Sequence, residues 1–226
     1  MNLIKKYGID KMDYSDIFRI IELYDLNFIP IWPEKKNPLV KKWSQYQKEK
    51  VPFEEFKHKY FYPGANNGIA IIGGSISHEL FIIDVDNNDF AMELVDLLPE
   101  TLSIKTSKGL HFYYFEEYAI PLDRYEFRIN ESDEQELFGI DVKAEGGYVI
   151  APPSIHPSGI HYSFYHFANI ERIKYDTILQ IILNLANKHN YFIKKVINAD
   201  KKIKKVKEKT YTKKERFVNS NIQELE

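Results

Sequence analysis

The chain of 226 residues is 44% apolar and 28% charged, has a formal charge of −2 and contains no cysteine. It is long enough for one ordinary or two-lobed domain, and the missing cysteine excludes disulfides, thiolate zinc sites and a cysteine nucleophile. The charge is uneven: residues 201–216, KKIKKVKEKTYTKKER, hold nine Lys or Arg and two Glu, about +7, which leaves about −9 elsewhere (−2 minus +7), so contact with a polyanion has to be local.

Residues 13–26 carry Ile17, Ile20, Ile21 and Tyr24 at helical spacing, with Asp13 or Ser15 to cap the start. NFIPIWP (27–33) is a short strand closed by Pro33, and EKKNPLVKKWSQYQ (34–47) is a basic loop running into polar helical sequence. NGIAIIGG (67–74) is a strand ended by a glycine pair. ELFIIDVD (79–86) follows after a turn, and neighbours so spaced suggest a hairpin. DFAMELVDLLP (89–99) is a helix with Phe90, Leu94 and Leu97 on one face, and LHFYYF (110–115) is a strand. Residues 121–136 are charged and read as an irregular surface excursion. FGIDVKAEGGYVIAPPS (138–154) reads as two strands around a Gly146–Gly147 turn, and HYSFYHF (161–167) as the last strand. DTILQIILNLANKH (176–189) is a helix that buries Ile178, Ile181, Ile182 and Leu185. Strands in the middle with helices at both ends give an α+β or mixed α/β class. The apolar periodicity fades after about residue 195, which sets a folded unit over 1–195 apart from a basic helical tail or linker over 196–226. No apolar run reaches the length of a membrane span. The start, MNLIKKYGID, lacks the long apolar stretch of a secretory signal, and the expected location is intracellular, in the cytoplasm.

Three short stretches carry chemistry. In FIIDVDNND (81–89) strand alternation puts Ile82, Asp84 and Asp86 on one face, with the two carboxylates about 7 Å apart. Two such carboxylates repel each other, and a divalent cation between them would relieve the repulsion. The same residues also suit a solvated turn at a strand end. Removing one crowded carboxylate is expected to leave stability unchanged or raised. In GIDVKAEGG (139–147) Asp141 and Lys143 share a face, either as a site pair or as surface neighbours. In KTSKGLHFYY (105–114) a turn of Thr106, Ser107, Lys108 and Gly109 offers amides, a hydroxyl and an ammonium to a phosphate. His111 follows at the strand start. The glycine spacing and following helix of a Walker loop are missing.

IDVD, then SKGLH, then IDVK before GGYVIAPPSIHPSG resemble the three motifs of the archaeo-eukaryotic primase superfamily. Within it, the chain is most similar to the bifunctional primase–polymerase (prim-pol) domain of plasmid and viral replication proteins, from about Phe28 to Tyr165. SKGLH also resembles a stretch in the polymerase domains of bacterial end-joining ligases. The resemblance implies a two-lobed α/β core, with one lobe like an RNA-recognition fold and the site in the cleft. It implies that Asp84, Asp86 and Asp141 bind two Mg²⁺ or Mn²⁺ ions, with His111 catalytic, and that Ser107, Lys108, His111 and Lys143 hold a dNTP or NTP. A single-stranded DNA template, and a helicase or replication initiator, are the implied partners; zinc and membrane are not. KAEGGY stands where relatives often read RGDGGY, which changes the expected phosphate contact at Lys143. Lys35, Lys36, Lys41, Lys42 and Trp43 are candidates for the template surface, and they read equally as a solvated loop. Ser154 and His156 lie in a Pro-rich turn that either builds structure or lines the cleft. Two rival readings stand beside this one: a DxD metal-dependent glycosyltransferase, and a non-catalytic module that binds single strands or nucleotides.

Overall fold

The computed structural model describes residues 13–118, 125–132 and 135–196. The basic tail predicted over 196–226 lies outside them except for its first residue. Among the described residues the architecture is α+β: a three-stranded antiparallel sheet, a larger mostly antiparallel sheet, and four α-helices.

Helix α1 (Ser15–Tyr24) buries Ile17, Phe18, Ile20 and Ile21 on one stripe. The Asp13 carboxylate accepts from the Ser15 N–H at 2.9 Å. Strand β1 (Phe28–Ile31) is buried throughout. It pairs with β2 (Gly68–Ile72), and β2 pairs with β8 (Tyr148–Ala151) to complete the small sheet. A 3-10 turn over Trp43–Gln47 and helix α2 (Phe53–Tyr60) lie between β1 and β2. These four- and five-residue strands are apolar on both faces because both faces are covered.

The larger sheet runs β11 (Phe192–Val196), β6 (Tyr125–Asn130), β7 (Glu136–Lys143), β3 (Leu80–Val85), β5 (Leu110–Glu116), β4 (Ser103–Lys105), β9 (Ser163–His166), with β10 (Glu171–Ile173) also on β5. Helices α3 (Asn88–Val95) and α4 (Tyr175–Lys188) cover one face. Phe81, Ile83 and Val85 of β3 pack there with Leu94, Ile178, Ile182 and Leu185. The opposite face turns to the small sheet, where Leu80, Ile82, Tyr113 and Phe115 share a core with Phe28, Ile71 and Val149.

Four expectations are corrected. Strands 67–74 and 79–86 do not form a hairpin: β2 belongs to the small sheet and β3 to the large one, joined by a single bridge at Gly74 and Leu80. The two strands expected around Gly146–Gly147 are both present and lie in different sheets, since β7 pairs with β3 and β6 while β8 pairs with β2. Both turns are places where the chain changes sheets. Leu97 is 52% exposed, because α3 ends at Val95 before that face is completed. The irregular stretch 121–136 contains strand β6, and two strands follow 161–167.

Ser154 is structural. It is buried, accepts from the Ile69 N–H at 2.8 Å and donates to the Ile69 carbonyl at 3.2 Å. Ser154→Ala strands a buried amide and should lower the unfolding free energy by about 1–3 kcal/mol. Denaturant unfolding with an unchanged midpoint would show that the hydroxyl contributes nothing.

Candidate active site

Burial along one face of β3 falls step by step. Leu80 and Ile82 are fully buried in the inter-sheet core, the Asp84 side chain is 21% exposed, and Asp86 is exposed at the rim. The carboxylates sit where the core between the sheets gives way to a cleft. Asp86 keeps its main chain in the sheet, donating its N–H to the Gly139 carbonyl at 3.0 Å. Asn87 then caps α3, accepting from the Phe90 N–H at 2.8 Å. The strand-end turn and the paired carboxylates are therefore the same feature.

Register supplies the neighbours. Asp84 is directly opposite His111 of β5 on one side and Asp141 of β7 on the other. Asp141 is in turn opposite Glu126 of β6. Directly opposite like charges destabilise a sheet unless cations intervene. Here each carboxylate has a nitrogen group beside it: His111 Nε2 lies 3.3 Å from Asp84 Oδ1, and the Lys143 ammonium bonds Asp141 Oδ2. Arg128 lies across Gly139, where a Cβ would meet its guanidinium at 2.4 Å, and reaches Asp141 Oδ1 at 3.7 Å and Glu126 at 2.8 Å.

A cleft of about 330 Å³ opens over this row. Asp84, Asp86, His111, Asp141 and Lys143 line it from the large sheet, and Lys36, Tyr148 and Ile150 from the small-sheet side. Tyr162 closes one flank, its ring 6.0 Å from His111. Burial raises the Asp84 carboxyl, but the charge and hydrogen bond of His111, then Lys143 and Lys36, outweigh it and hold the group below the ordinary Asp value. Asp86 goes the other way. Desolvation by the cleft walls and repulsion from Asp84 raise it, against smaller pulls from Lys108 and Lys36.

Ser107 and Lys108 stand apart from the cleft lining, on the turn before β5. The turn is locked onto the end of β3: a Cβ on Gly109 would sit 2.0 Å from the Val85 carbonyl oxygen, so only glycine fits this approach. The Thr106 hydroxyl accepts from the Lys108 and Gly109 amides at 3.2 and 3.0 Å. Those two amides, expected to cradle a phosphate, are thus already used, and what the turn offers is the Ser107 and Lys108 side chains. Glu145 of KAEGGY accepts from the Ser75 N–H at 2.6 Å and ties the two sheet-changing turns together. His156 Nδ1 accepts from the Ser158 N–H at 3.1 Å, and its ring lies 6.2 Å from Tyr162.

The expected template residues separate. Lys36 is in the cleft, while Lys41 and Lys42 are exposed outside its lining. Trp43 is half-buried, edge-on to Tyr148 at 4.9 Å, so it is packing rather than a platform. Trp32, which the sequence reading passed over as a strand end, is 48% exposed with Lys35 over its ring at 6.0 Å. Tyr162, Arg128 and Glu126 were also passed over, because none lies in a recognisable motif, and Tyr148 was read only as part of GGYVIAPPS.

Among the described residues, no three His, Asp or Glu side chains are gathered into a ready metal cluster. The donor chemistry nonetheless fits a hard divalent cation. Asp84, Asp86 and Asp141 present carboxylate oxygens on one face, and Asp141 Oδ1 is buried without a hydrogen bond. His111 and Lys143 each occupy one oxygen, Asp84 Oδ1 and Asp141 Oδ2.

These pairings set distinct stabilities. Asp86 forms no ion pair among the described residues and is repelled by its neighbours, so Asp86→Ala in EDTA should leave the melting temperature unchanged or raised. Asp84→Ala leaves His111 without its carboxylate and should cost about 1–3 kcal/mol. This amends the expectation that losing any of the three carboxylates is harmless, and equal melting curves for the two variants would contradict it.

A family model described as bifunctional DNA primase/polymerase, N-terminal, matches residues 19–174. No curated protein matches the chain. The matched span takes in β1 through β10, the three aspartates, His111, Lys143 and the whole cleft lining, and it stops one residue before α4. On that match, over most of its length, the chain belongs to the Prim-Pol family of bifunctional DNA primase/polymerase N-terminal domains.

Proposed function

We propose that the chain is a template-directed nucleotidyltransferase of DNA replication, which adds nucleotides to a 3′-hydroxyl or starts a primer. The observation that carries this reading is the row Asp141–Asp84–His111 on three adjacent strands, with Asp86 at its rim, under a cleft roomy enough for a nucleotide's phosphates. Asp84, Asp86 and Asp141 would hold two Mg²⁺ or Mn²⁺ ions. Such ions neutralise a triphosphate and lower the pKa of an attacking hydroxyl.

The protein's own side chains do the rest. Lys143 and His111, released from Asp141 and Asp84, would turn their positive charge and N–H donors to the phosphates as negative charge develops on the leaving pyrophosphate. Ser107 and Lys108 would bind the triphosphate from the rim of β5. Tyr148 and Tyr162 flank the cleft above the large-sheet floor. The template would stack on Trp32, with Lys35 near its backbone, because an exposed aromatic ring under an ammonium suits single strands. One observation favours a non-catalytic nucleotide- or strand-binding module instead: Asp84 and Asp141 are already neutralised by His111 and Lys143.

Incorporation of labelled dNTPs and NTPs on primed and unprimed single-stranded templates, with Mg²⁺ or Mn²⁺, separates the two. Asp84→Ala, Asp86→Ala, Asp141→Ala and EDTA should each abolish addition, and His111→Ala should lower its efficiency about tenfold to a hundredfold, the worth of a charge-assisted contact. Near-normal synthesis by Asp141→Ala would refute the three-carboxylate site. Nucleotide binding without incorporation by the wild type would leave the binding module.

Trp32→Ala should weaken single-stranded DNA binding by roughly 1–3 kcal/mol with little change in melting temperature, as for loss of one base stack. Trp43→Ala should do the reverse, since its ring packs on Tyr148. DNA affinity that follows Trp43 and ignores Trp32 would return the template to the 41–43 segment.

A further inference from the structure

The cleft contains two groups of opposite sign that its pairings leave over. His111 answers Asp84 and Lys143 answers Asp141, while Asp86 and Lys36 form no ion pair among the described residues. Asp86 belongs to the large sheet and Lys36 to the small-sheet side, and both line the same space. A ligand that fits both leftovers has to carry a cation at one end and an anion at the other.

We propose that Lys36 is a ligand of the nucleotide's phosphate chain, held on the small-sheet side of the cleft to meet a triphosphate whose cations sit on Asp84, Asp86 and Asp141. The inference rests on the nucleotidyltransferase reading and adds to it a residue outside the three motifs.

The main chain of Lys36 is fixed in advance. Its carbonyl accepts from the Tyr148 hydroxyl at 3.0 Å, and Trp43 braces the Tyr148 ring at 4.9 Å. The loop is closed beneath it by Trp32 N–H to Asn37 carbonyl at 3.1 Å and Leu39 N–H to Pro30 carbonyl at 2.8 Å. Of the lysines at 35, 36, 41 and 42, Lys36 alone lines the cleft, while Lys35 is folded over Trp32. With the backbone fixed, an arriving anion has only the Lys36 side chain left to order.

Charge points the same way. Three carboxylates face Lys36 and Lys143, with His111 as a further donor. Two divalent cations add about four positive charges, and the loaded cleft is then strongly positive until an anion of about the charge of a triphosphate enters.

The test is binding of Mg²⁺–tripolyphosphate and of a Mg²⁺–dNTP to the full chain by calorimetry, without primer or template. Lys36→Ala should weaken both about tenfold to a hundredfold, with single-stranded DNA affinity and melting temperature unchanged. Lys36→Arg should keep most of the affinity, and Lys41→Ala all of it. Equal tripolyphosphate affinity for wild type and Lys36→Ala overturns the inference. Lost DNA affinity with intact tripolyphosphate binding also overturns it, and makes Lys36 a template residue. If the wild type binds tripolyphosphate through Lys36 yet incorporates no nucleotide, the inference stands and the polymerase reading fails; if the wild type binds neither ligand, both fail.

Discussion

The antiparallel register of β7, β3 and β5 is the constraint from which the site follows. It sets Asp141, Asp84 and His111 side by side on one face, with Asp86 two residues further along β3. A one-residue slip would turn Asp84 into the helix-covered core and expose Val85. The slip is opposed on both faces at once, because Phe81, Ile83 and Val85 are fully buried under α3 and α4 while Leu80 and Ile82 are fully buried against the small sheet. The core therefore fixes where the carboxylates stand. Once they stand there, repulsion between directly opposed aspartates has to be met by something positive. In this structure His111, Lys143 and Arg128 meet it.

The cleft itself lies beside two of the chain's changes of sheet, a further one returning it from β8 to β9. At Gly73–Gly74 and again at Gly146–Gly147 the backbone leaves one sheet for the other. The two crossings lie against each other, with the Gly73 N–H donating to the Gly147 carbonyl at 3.1 Å and Glu145 holding the Ser75 amide. The large sheet leads out of this junction with the carboxylates, and β8 leads out of it with Tyr148 and its hold on Lys36. Both walls of the site thus begin at one pair of crossed turns.

How much of this was legible in the sequence depended on how local each signal was. Alternation in ELFIIDVD was enough to put Ile82, Asp84 and Asp86 on one face, and the motif order brought Asp141 and His111 into the argument. Pairing was not legible. Two strands separated by a short turn look like a hairpin whether or not they share a sheet, and glycines suit a sheet change as well as a tight turn. Strand β6 was missed because YEFRIN has only two aliphatic or Phe positions, Phe127 and Ile129, set between the charged Glu126 and Arg128. It is held by pairing with β7 and β11 and by burial of Phe127 and Ile129, with Arg128 reaching Glu136 and Asp141 once β7 is beside it. Lys36 and Trp32 were hidden by composition: in a lysine-rich loop the sequence does not say which side chain faces the cleft, and the loop's own hydrogen bonds decide it.

The pairings also bear on how a ligand could enter without a large desolvation penalty. Burying bare carboxylates costs several kcal/mol each, and removing a partner from a buried pair is worse. In this cleft the two more buried carboxylates, Asp84 and Asp141, need never be bare. On the proposed reading, Asp84 and Asp141 exchange an imidazole and an ammonium for divalent cations, and the displaced His111 and Lys143 find the phosphates that arrive with those cations. The exchange conserves paired charge at each step, so binding draws little on the stability of the sheet. It also accounts for the asymmetry between Asp84 and Asp86. The buried aspartate requires its protein partner in the empty state, while the exposed one, with water around it, stays unpaired and available to the incoming ion first.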